Sequence, residues 1–286
     1  EKFPLRKGNR DLIKEINRNL VLNLIKSSGP ISRTEIARLS GLSQAAVSSI
    51  VTDLIESGLV HETGEGESTG GRKPVLLRIN DRAGFVVGVK LTEQAITSAL
   101  TDLDANVIYA QTVPIPGQCD LQAVQEAIVT TIETTIARSG VDPTRVLGIG
   151  LGMAGVVDGG VGVCRYSPFF GWWDVPLASS LTERLGIPVY LENDVNTLTI
   201  AEQWFGYGHG VDHFVVVTVG RGIGAGIVVN GQFYRGAIGG AGELGHIPLV
   251  QNGPPCACGK HGCLEALASD PAVVRQARAA IARGEP

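Results

Sequence analysis

The chain has 286 residues, of which 44% are hydrophobic and 18% are charged, so it is long enough for one small domain and one larger domain with its own core. Its longest apolar stretches, residues 214–219 and 227–229, fall far short of the roughly 18 residues that a membrane span requires, and the polar, basic first ten residues lack the apolar core of a secretory signal. These features argue against a membrane or secreted protein, and we expect a cytoplasmic one.

The net charge of −4 is unevenly distributed along the chain. Residues 1–80 carry 12 Lys and Arg against 9 Asp and Glu, whereas residues 81–286 carry 12 against 19. A basic small part beside an acidic large part is typical of a protein whose first domain approaches a polyanion. We expect the two domains to be residues 1–80 and 81–286.

The first forty residues predict two helices. Leucine and isoleucine recur at helical spacing between Leu12 and Ile25, so residues 10–27 are predicted as an amphipathic helix that ends at Ser28-Gly29-Pro30. The sequence from Ser32 to Glu35 is a capping box, in which the serine caps the next helix and the glutamate reaches back to the serine amide. That second helix is expected to end near Ser40.

A third helix follows after a turn at Gly41-Leu42, with Ser43 as its cap. Helix, short glycine turn and helix together predict a helix-turn-helix, which places the third helix in a DNA major groove. A three-helix protein-interaction domain is the alternative. The apolar face of the third helix consists of Val47, Ile50, Val51, Leu54 and Ile55.

The opposite face of the third helix carries candidate base-reading residues. Glutamine pairs with adenine through two hydrogen bonds, and small alanine or serine side chains permit close approach and contact with thymine methyl groups. The DNA contacts predicted on the helices are Arg33, Ser43, Gln44, Ala45, Ser48 and Ser49.

A β-hairpin wing is predicted next, with strands at Leu59-Val60 and Val75-Leu76-Leu77 around a glycine-rich loop from Glu62 to Pro74. The loop ends with Arg72 and Lys73, which gives the wing a basic tip. An arginine on a glycine-flanked extended segment suits a narrow, A·T-rich minor groove. The wing favours DNA binding over the interaction domain.

Residues 81–286 begin with strands and then alternate between helices and strands. This order predicts an α/β domain with a mixed sheet, helices on its faces, and ligands beyond the carboxyl ends of the strands. The predicted strands are residues 85–91, 95–103, 107–114, 146–152, 187–191, 214–219 and 224–229, and the predicted helices are residues 121–138, 177–185 and 193–205.

Two segments near the end of the chain have a distinctive pattern: Gly236 to His246 reads GAIGGAGELGH, and Cys256 to Glu265 reads CACGKHGCLE. Together they resemble the paired signature of the ROK family, which contains sugar kinases and sugar-responsive repressors. Residues 152–158, Gly171-Trp172 and 192–196 resemble further family segments in the expected order. The resemblance covers residues 10–270 and implies an actin-like, ribonuclease-H-like α/β domain behind a winged helix-turn-helix.

Three of the five cysteines, Cys256, Cys258 and Cys263, lie within eight residues. In a reducing compartment this spacing indicates a metal cluster, with three free cysteines in a loop as the alternative. Cys119 and Cys164 are interpreted as ordinary thiols.

Thiolate and imidazole are ligands that zinc prefers, and Gly259 and Gly262 permit the turn that would bring the cysteines together. His246 and His261 are rival fourth ligands, of which the family pattern favours His246. Four protein ligands leave no place for an activated water, so we expect a structural Zn²⁺ held by His246, Cys256, Cys258 and Cys263.

The resemblance also implies a sugar-contacting set, namely Asn193, Asp194, Glu243, His246 and Glu265. Asn193 and Asp194 follow a predicted strand, where a ligand is expected, although either residue alone has a helix cap as its alternative interpretation. His246 is expected to bind zinc through one ring nitrogen and a sugar hydroxyl through the other.

Sugar phosphorylation is disfavoured by the segments that match the phosphate loops of ROK kinases. Where the kinases have an aspartate, two glycines and a threonine, residues 90–94 begin with lysine, lack glycine and add Glu93. The second loop, residues 220–226, keeps its glycines, which alternatively form a tight hairpin, but has Arg221 in place of a threonine. Family members also continue beyond the position of Pro286, so weak ATP binding is expected. Asp194, which matches the kinase base, is retained.

The sequence therefore predicts a sugar-responsive repressor of carbohydrate-utilisation genes, without enzymatic activity. A sugar kinase carrying a DNA-binding domain is the first alternative, and a zinc-stabilised scaffold is the second. We expect a homodimer or higher oligomer on a palindromic, A·T-rich double-stranded operator, and a monosaccharide effector that alters DNA binding. Resemblance to the xylose-repressor branch makes xylose the first choice, with N-acetylglucosamine and glucose open.

Overall fold

A computed structural model of the chain describes residues 10–66, 73–115, 120–237 and 239–285. The chain divides into two compact units. The first ends at Phe85 and also takes in Asp102–Asn106, and the second consists of Val86–Thr101 together with the chain from Val107 onward.

The first unit is a winged helix: three helices and a three-stranded antiparallel sheet of order β1-β3-β2. The apolar face predicted for the third helix lies in one core, where its Val47, Val51 and Leu54 are fully buried. The face predicted for the first helix is only partly confirmed: Ile25 is buried in the same core, whereas Ile13, Ile16 and Leu20 are exposed. The elements are α1 (Arg10–Ser28), β1 (Ile31–Ser32), α2 (Arg33–Ser40), α3 (Gln44–Glu56), β2 (Val60–Glu65) and β3 (Val75–Ile79).

The helix-turn-helix has the expected turn, but only half of the expected capping box. The Ser32 hydroxyl accepts from the Glu35 amide at 3.2 Å, and Gly41 ends α2 in the left-handed conformation at φ 69°. The Glu35 carboxylate accepts from Arg38 Nε at 2.9 Å and Nη2 at 2.6 Å. Two hydrogen bonds from an oppositely charged guanidinium replace the single bond from the Ser32 amide that the sequence predicted.

The wing loop is shorter than predicted, because β2 pairs with β3 as far as Glu65↔Val75. A β-bulge between Glu62 and Gly64 absorbs the irregular spacing of this glycine-containing stretch, so the ladder continues past it. The predicted start of the loop at Glu62 is therefore wrong.

The second unit contains the mixed α/β sheet that the sequence predicted. Five strands lie in the order β11-β7-β4-β5-β6, with β11 and β7 parallel and β5 and β6 antiparallel. The elements are β4 (Phe85–Leu91), β5 (Ala95–Asp102), β6 (Val107–Pro114), α4 (Leu121–Ser139), β7 (Val146–Met153), β8 (Val156–Asp158), β9 (Val163–Ser167), β10 (Trp172–Val175), α5 (Leu177–Leu185), β11 (Val189–Asn193), α6 (Asp194–Phe205), β12 (Phe214–Val219), β13 (Ile223–Val229), β14 (Gln232–Phe233), α7 (Leu264–Ala268) and α8 (Asp270–Ala282).

Strand β11 begins and ends two residues later than predicted. Pro188 cannot donate a hydrogen bond to a sheet ladder, so regular pairing begins only at Val189. The pairing then continues to Asn193↔Met153, which brings Asn193 to the carboxyl end of the parallel strands.

The second unit contains two further sheets, and one of them was not predicted. Strands β10, β9 and β8 form a small sheet whose members span three to five residues, too short for a clear alternation of polar and apolar residues. The predicted hairpin of β12 and β13 is confirmed, with β14 added at its edge. None of the helices in the described residues has both the length and the hydropathy that crossing a membrane requires.

The core of the winged helix gives a direct test of the first unit. Leu54 has no exposed surface, so Leu54→Ala should lower the free energy of unfolding by about 2–5 kcal/mol through lost burial and a residual cavity. Chemical denaturation of the full chain, followed by hydrogen exchange in α3, measures this loss. The exposed Ser49→Ala variant is the control and should change stability by no more than about 0.5 kcal/mol. Equal stability of both variants would contradict the packing described above.

Candidate functional site

The amino-terminal half of α3 offers a continuous exposed surface. The side chains that were predicted to read DNA bases all lie exposed, because the apolar residues of the same helix occupy the opposite, buried face. The Ser43 hydroxyl is already used as the helix cap and accepts from the Ala46 amide at 3.2 Å. The exposed set is Ser43, Gln44, Ala45, Ser48 and Ser49.

The basic residues predicted to bind DNA make contacts with the acidic side of β2. Arg33 Nη2 donates to Glu62 Oε1 at 3.1 Å, and Lys73 Nζ lies 3.7 Å from Glu65 Oε2. Ion pairs this exposed contribute little free energy, so a phosphate group competes readily for either cation. Arg72 lies outside the described residues.

The histidine and the three clustered cysteines come together as a candidate metal site. The ligand atoms of His246, Cys256, Cys258 and Cys263 all lie within 4.8 Å of one another. His246 Nδ1 is 3.4 Å from Cys256 Sγ, and Cys258 Sγ is 3.7 Å from Cys263 Sγ. Metal–sulfur bonds of about 2.3 Å in a tetrahedron place two sulfur atoms about 3.8 Å apart, so the spacing fits a four-coordinate ion. His261 is exposed and outside this group.

Backbone hydrogen bonds hold the cysteine loop in its conformation. The Cys256 amide donates to the Lys260 carbonyl at 2.8 Å, and Cys263 pairs with Pro248 in an isolated β-bridge. Gly262 has φ 70°, and a Cβ there would lie 1.8 Å from the Val250 carbonyl oxygen.

The surroundings of the Cys263 thiol disfavour its ionisation. Burial and then the sulfur atoms of Cys258 and Cys256 raise the pKa of this thiol to about 11. A bound cation reverses this effect, because it favours the thiolate.

Asn193 connects three parts of the second unit. Its Oδ1 accepts from the amides of Val195 at 2.9 Å and Asn196 at 3.2 Å, so it is the cap of α6. Its Nδ2 donates to the Gly155 carbonyl at 3.0 Å, in the turn between β7 and β8. The capping interpretation of Asn193 is thus observed, and one amide hydrogen on Nδ2 is left for a further acceptor.

The carboxylates of the predicted sugar set converge around Glu243. Partial burial raises the pKa of the Glu243 carboxyl, His246 lowers it, and Glu265 and Asp194 raise it further through their negative charges. His246 Nε2 lies 3.7 Å from Glu243 Oε2, so the ring nitrogen that faces away from the cysteines points toward this carboxylate. Asp194, Glu265 and His246 therefore all lie close enough to Glu243 for their charges to act on its carboxyl group.

Glu265 has a structural contact as well. Its Oε2 accepts from the Ile223 amide at 2.9 Å, at the start of β13. The Glu265 carboxylate also lies close to Gly222, where a Cβ would be 2.9 Å from Oε2. Glu265 thus holds the glycine-rich turn between β12 and β13 beside the convergent carboxylates.

Sequence reasoning missed Glu192 and Arg235 as a pair. The Glu192 side chain is 13% exposed, accepts from Asn196 Nδ2 at 2.8 Å and accepts from Arg235 Nε at 2.9 Å. Arg235 immediately precedes the glycine-rich segment that starts at Gly236, so this pair fastens that segment to the end of β11. The position of Glu192 directly before Asn193 indicated that it lies near the site. Nothing in the sequence indicated that Glu192 pairs with Arg235.

A winged helix with an open reading face, joined to an α/β unit with convergent carboxylates beside a His/Cys cluster, defines a DNA-binding protein with an actin-like sugar-kinase fold. The sequence model of the ROK family matches residues 86–285, and that of the MarR family matches residues 20–72. The chain therefore belongs to the ROK family and carries a MarR-type helix-turn-helix at its amino-terminal side.

Individual relatives agree with this assignment. A curated protein from Caldicellulosiruptor bescii, named xylose repressor, is 35% identical over 277 residues, which cover 97% of this chain and 69% of that protein. A crystal structure of a ROK family transcriptional regulator, a homologue of the E. coli MLC protein, has a TM-score of 0.83 and 33% identity over 96% of this chain and 69% of its own. A ROK family glucokinase from Streptomyces griseus, solved with glucose and AMPPNP, has a TM-score of 0.62 and 33% identity over 70% of this chain and 62% of its own.

The contacts of Asn193 yield a second prediction. Asn193→Ala removes both the helix cap and the bond to Gly155, so it should lower stability by about 1–3 kcal/mol, whereas Asn193→Ser keeps a capping oxygen and should lose less. The melting temperatures of the two variants measure the difference. If Asn193→Ser were as damaging as Asn193→Ala, capping would not be the main structural role of this side chain.

Proposed function

We propose that this chain is a sugar-responsive transcriptional repressor in which residues 1–80 bind an operator and residues 81–286 bind a monosaccharide. The observation that carries the proposal is a combination within one chain. The first unit exposes the reading face of α3, and the second unit brings the carboxylates of Asp194 and Glu265 near that of Glu243. Convergent carboxylate, amide and imidazole groups are suited to the several hydroxyl groups of a sugar. The relative named xylose repressor and the structure of a ROK family transcriptional regulator support this function.

The sugar-facing set comprises Asn193, Asp194, Glu243, His246 and Glu265. Carboxylates accept hydrogen bonds from sugar hydroxyls, while the free Nδ2 hydrogen of Asn193 donates to one. A pentose, with xylose first, is supported by the name of the C. bescii relative. N-acetylglucosamine and glucose remain candidates, because the residues of the set do not specify a hydroxyl pattern.

We further propose that His246, Cys256, Cys258 and Cys263 hold a structural Zn²⁺. The distances between these ligand atoms fit the zinc tetrahedron, and the set supplies four protein ligands without a place for water. When bound, zinc would fasten the segment that carries Glu243 to the start of α7. His246 then uses Nδ1 for the metal and leaves Nε2 for the Glu243 side of the pocket.

The regulatory mechanism that we propose is thermodynamic linkage. A homodimer in the cytoplasm places two α3 helices on a palindromic, A·T-rich operator, with Arg33, Ser43, Gln44, Ala45, Ser48, Ser49, Arg72 and Lys73 as the contacts on each half-site. A sugar that binds more tightly to a conformation with low operator affinity shifts the population toward that conformation and releases DNA.

Phosphotransfer is the less favoured alternative. Asp194 is retained, and the S. griseus glucokinase has the same fold. The segments that match the two phosphate loops are, however, tied to each other by an ion pair between Glu93 and Arg221. A negative carboxylate in this position opposes the binding of nucleotide phosphates.

A monosaccharide screen tests the sugar proposal. Xylose at millimolar concentration should raise the melting temperature of the chain by mass action, and Asp194→Asn should abolish most of that shift. Glu183→Gln, a charge-neutralising change on the exposed side of α5, is the matched control and should leave the shift intact. The sugar proposal fails if none of xylose, N-acetylglucosamine and glucose stabilises the chain. Sugar-dependent ATP turnover that Asp194→Asn abolishes would instead establish the kinase alternative.

The zinc content of variants at His246 and His261 tests the metal proposal. His246→Ala should lose bound zinc and lower the melting temperature, whereas His261→Ala should retain about one zinc per chain, because His261 lies outside the ligand group. Elemental analysis of the purified proteins gives the zinc content. Retention of zinc in His246→Ala, or its loss in His261→Ala, would contradict the proposed ligand set.

Operator binding tests the reading face. Gln44→Ala should weaken binding to the specific operator by about 1–3 kcal/mol and relax specificity at one base pair, while Lys73→Ala should weaken binding to all sequences alike. Fluorescence anisotropy with operator and scrambled duplexes measures both effects, and Gln122→Ala on the exposed surface of α4 serves as the control. Identical affinities of the Gln44→Ala and Gln122→Ala variants would exclude Gln44 as a base contact.

A further inference from the structure

Three turns of the second unit meet at the side chain of Arg221. This residue lies between β12 and β13 and forms an ion pair with Glu93, which lies between β4 and β5. The guanidinium carbon also lies 5.3 Å from the centroid of the Phe169 ring, in the turn between β9 and β10. An arginine over an aromatic face and against a carboxylate makes two attractive contacts at once. We call Glu93, Phe169 and Arg221 the clasp.

The clasp connects to one side of the sugar set through β13. The Glu265 carboxylate accepts from the amide of Ile223, two residues after Arg221. Further along the same strand, the Ala225 amide donates to the Gly242 carbonyl at 2.8 Å, directly before Glu243. A displacement of the Arg221 turn therefore moves the strand to which both Glu243 and Glu265 are attached.

The clasp also connects to Asn193 of the sugar set through β9. Phe169 follows this strand, whose Tyr166 carbonyl lies against Gly155 so closely that a Cβ there would be 2.3 Å from the oxygen. The Gly155 carbonyl in turn accepts from Asn193 Nδ2 at 3.0 Å. Phe169 and Asn193 are thus joined by the chain of β9, its backbone contact with Gly155 and the side-chain hydrogen bond of Asn193.

We propose that the clasp is a positioning device that sets the distance between the Asn193 side and the Glu243–Glu265 side of the monosaccharide pocket. This inference rests on the proposed sugar-binding function. Glu93 and Arg221 occupy the two segments that match phosphate loops in the kinases, and there they bind each other. Opening the clasp separates the two groups of sugar contacts and weakens sugar affinity without removing any group that touches the sugar.

The ion pair makes a charge-swap experiment possible in the full chain. Glu93→Arg and Arg221→Glu each place like charges together, and each should raise the Kd for xylose about tenfold. The double variant Glu93→Arg/Arg221→Glu restores opposite charges and should recover most of the lost affinity. Phe169→Leu should give a smaller, separate loss. The same titrations with N-acetylglucosamine and glucose cover the case in which xylose is not the effector.

A matched swap supplies the control. Glu126 and Arg184 form an exposed ion pair between α4 and α5, outside the clasp, so exchanging their charges should leave the sugar Kd unchanged. Equal sugar affinity in the wild type and both single clasp variants would overturn the inference while leaving the proposed function intact. A double variant no better than the singles would also overturn it, since the pairing itself would then not matter.

A readout without sugar separates the clasp from the proposed function. The melting temperatures of the ligand-free wild type, both singles and the double form a mutant cycle, and non-additive values are expected if Glu93 and Arg221 stabilise each other. Additive values contradict the clasp. If no sugar stabilises the wild type, the proposed function fails and the inference about the pocket fails with it, whereas the cycle still reports whether the three turns are joined.

Discussion

The end of β11 is the constraint on which the rest of the second unit depends. There Glu192 and Asn193 hold three chain segments through side-chain hydrogen bonds: the turn at Gly155, the first turn of α6, and the segment that begins at Arg235. The Glu192 carboxylate is 13% exposed, so loss of Arg235 would leave a nearly buried charge without its opposite charge. These bonds hold in place the chain segments that surround the carboxylates of Asp194 and Glu243.

Close backbone contacts also hold the segment that carries Glu243. The glycine-rich signature lies directly against β13, where a Cβ on Gly242 would be 1.7 Å from the Ala225 carbonyl oxygen and one on Gly245 would be 2.2 Å from that of Ile223. Any larger residue at these positions pushes Glu243 and His246 away from Glu265. The glycines thus permit this close approach through the space that they leave, and His246 of the His/Cys group lies at the other end of the same segment.

The winged helix combines a compact apolar core with an exposed reading face. Its core is built from the apolar faces of short amphipathic elements, and its reading face stays open because the residues there are small and make few contacts. Arg33 and Lys73 are held in exposed ion pairs with β2, where phosphate can displace the acidic partners at low cost. Sequence patterns predicted the helices of this unit, whereas the pairing of Ile31 with Leu77, 46 positions apart, depends on the fold.

The sequence by itself determined the elements with strong periodicity, including α3, α5 and the strands β4 to β6, and it determined the chemical types available at each site. Local physics fixes these features, since amphipathic spacing, caps and turn residues act within a few positions of the chain. The His/Cys group could be recognised in the same way, because three of its four ligands lie within eight residues.

Only the tertiary structure decided which distant residues meet. The pairing of Glu93 with Arg221, that of Glu192 with Arg235, and the bond from Asn193 to Gly155 join segments separated by 38 or more positions. No periodicity encodes such contacts, because they arise from the way the sheets and turns pack. Each phosphate-loop residue that departs from the kinase pattern was visible in the sequence, but that Glu93 and Arg221 bind each other became visible only in the folded chain.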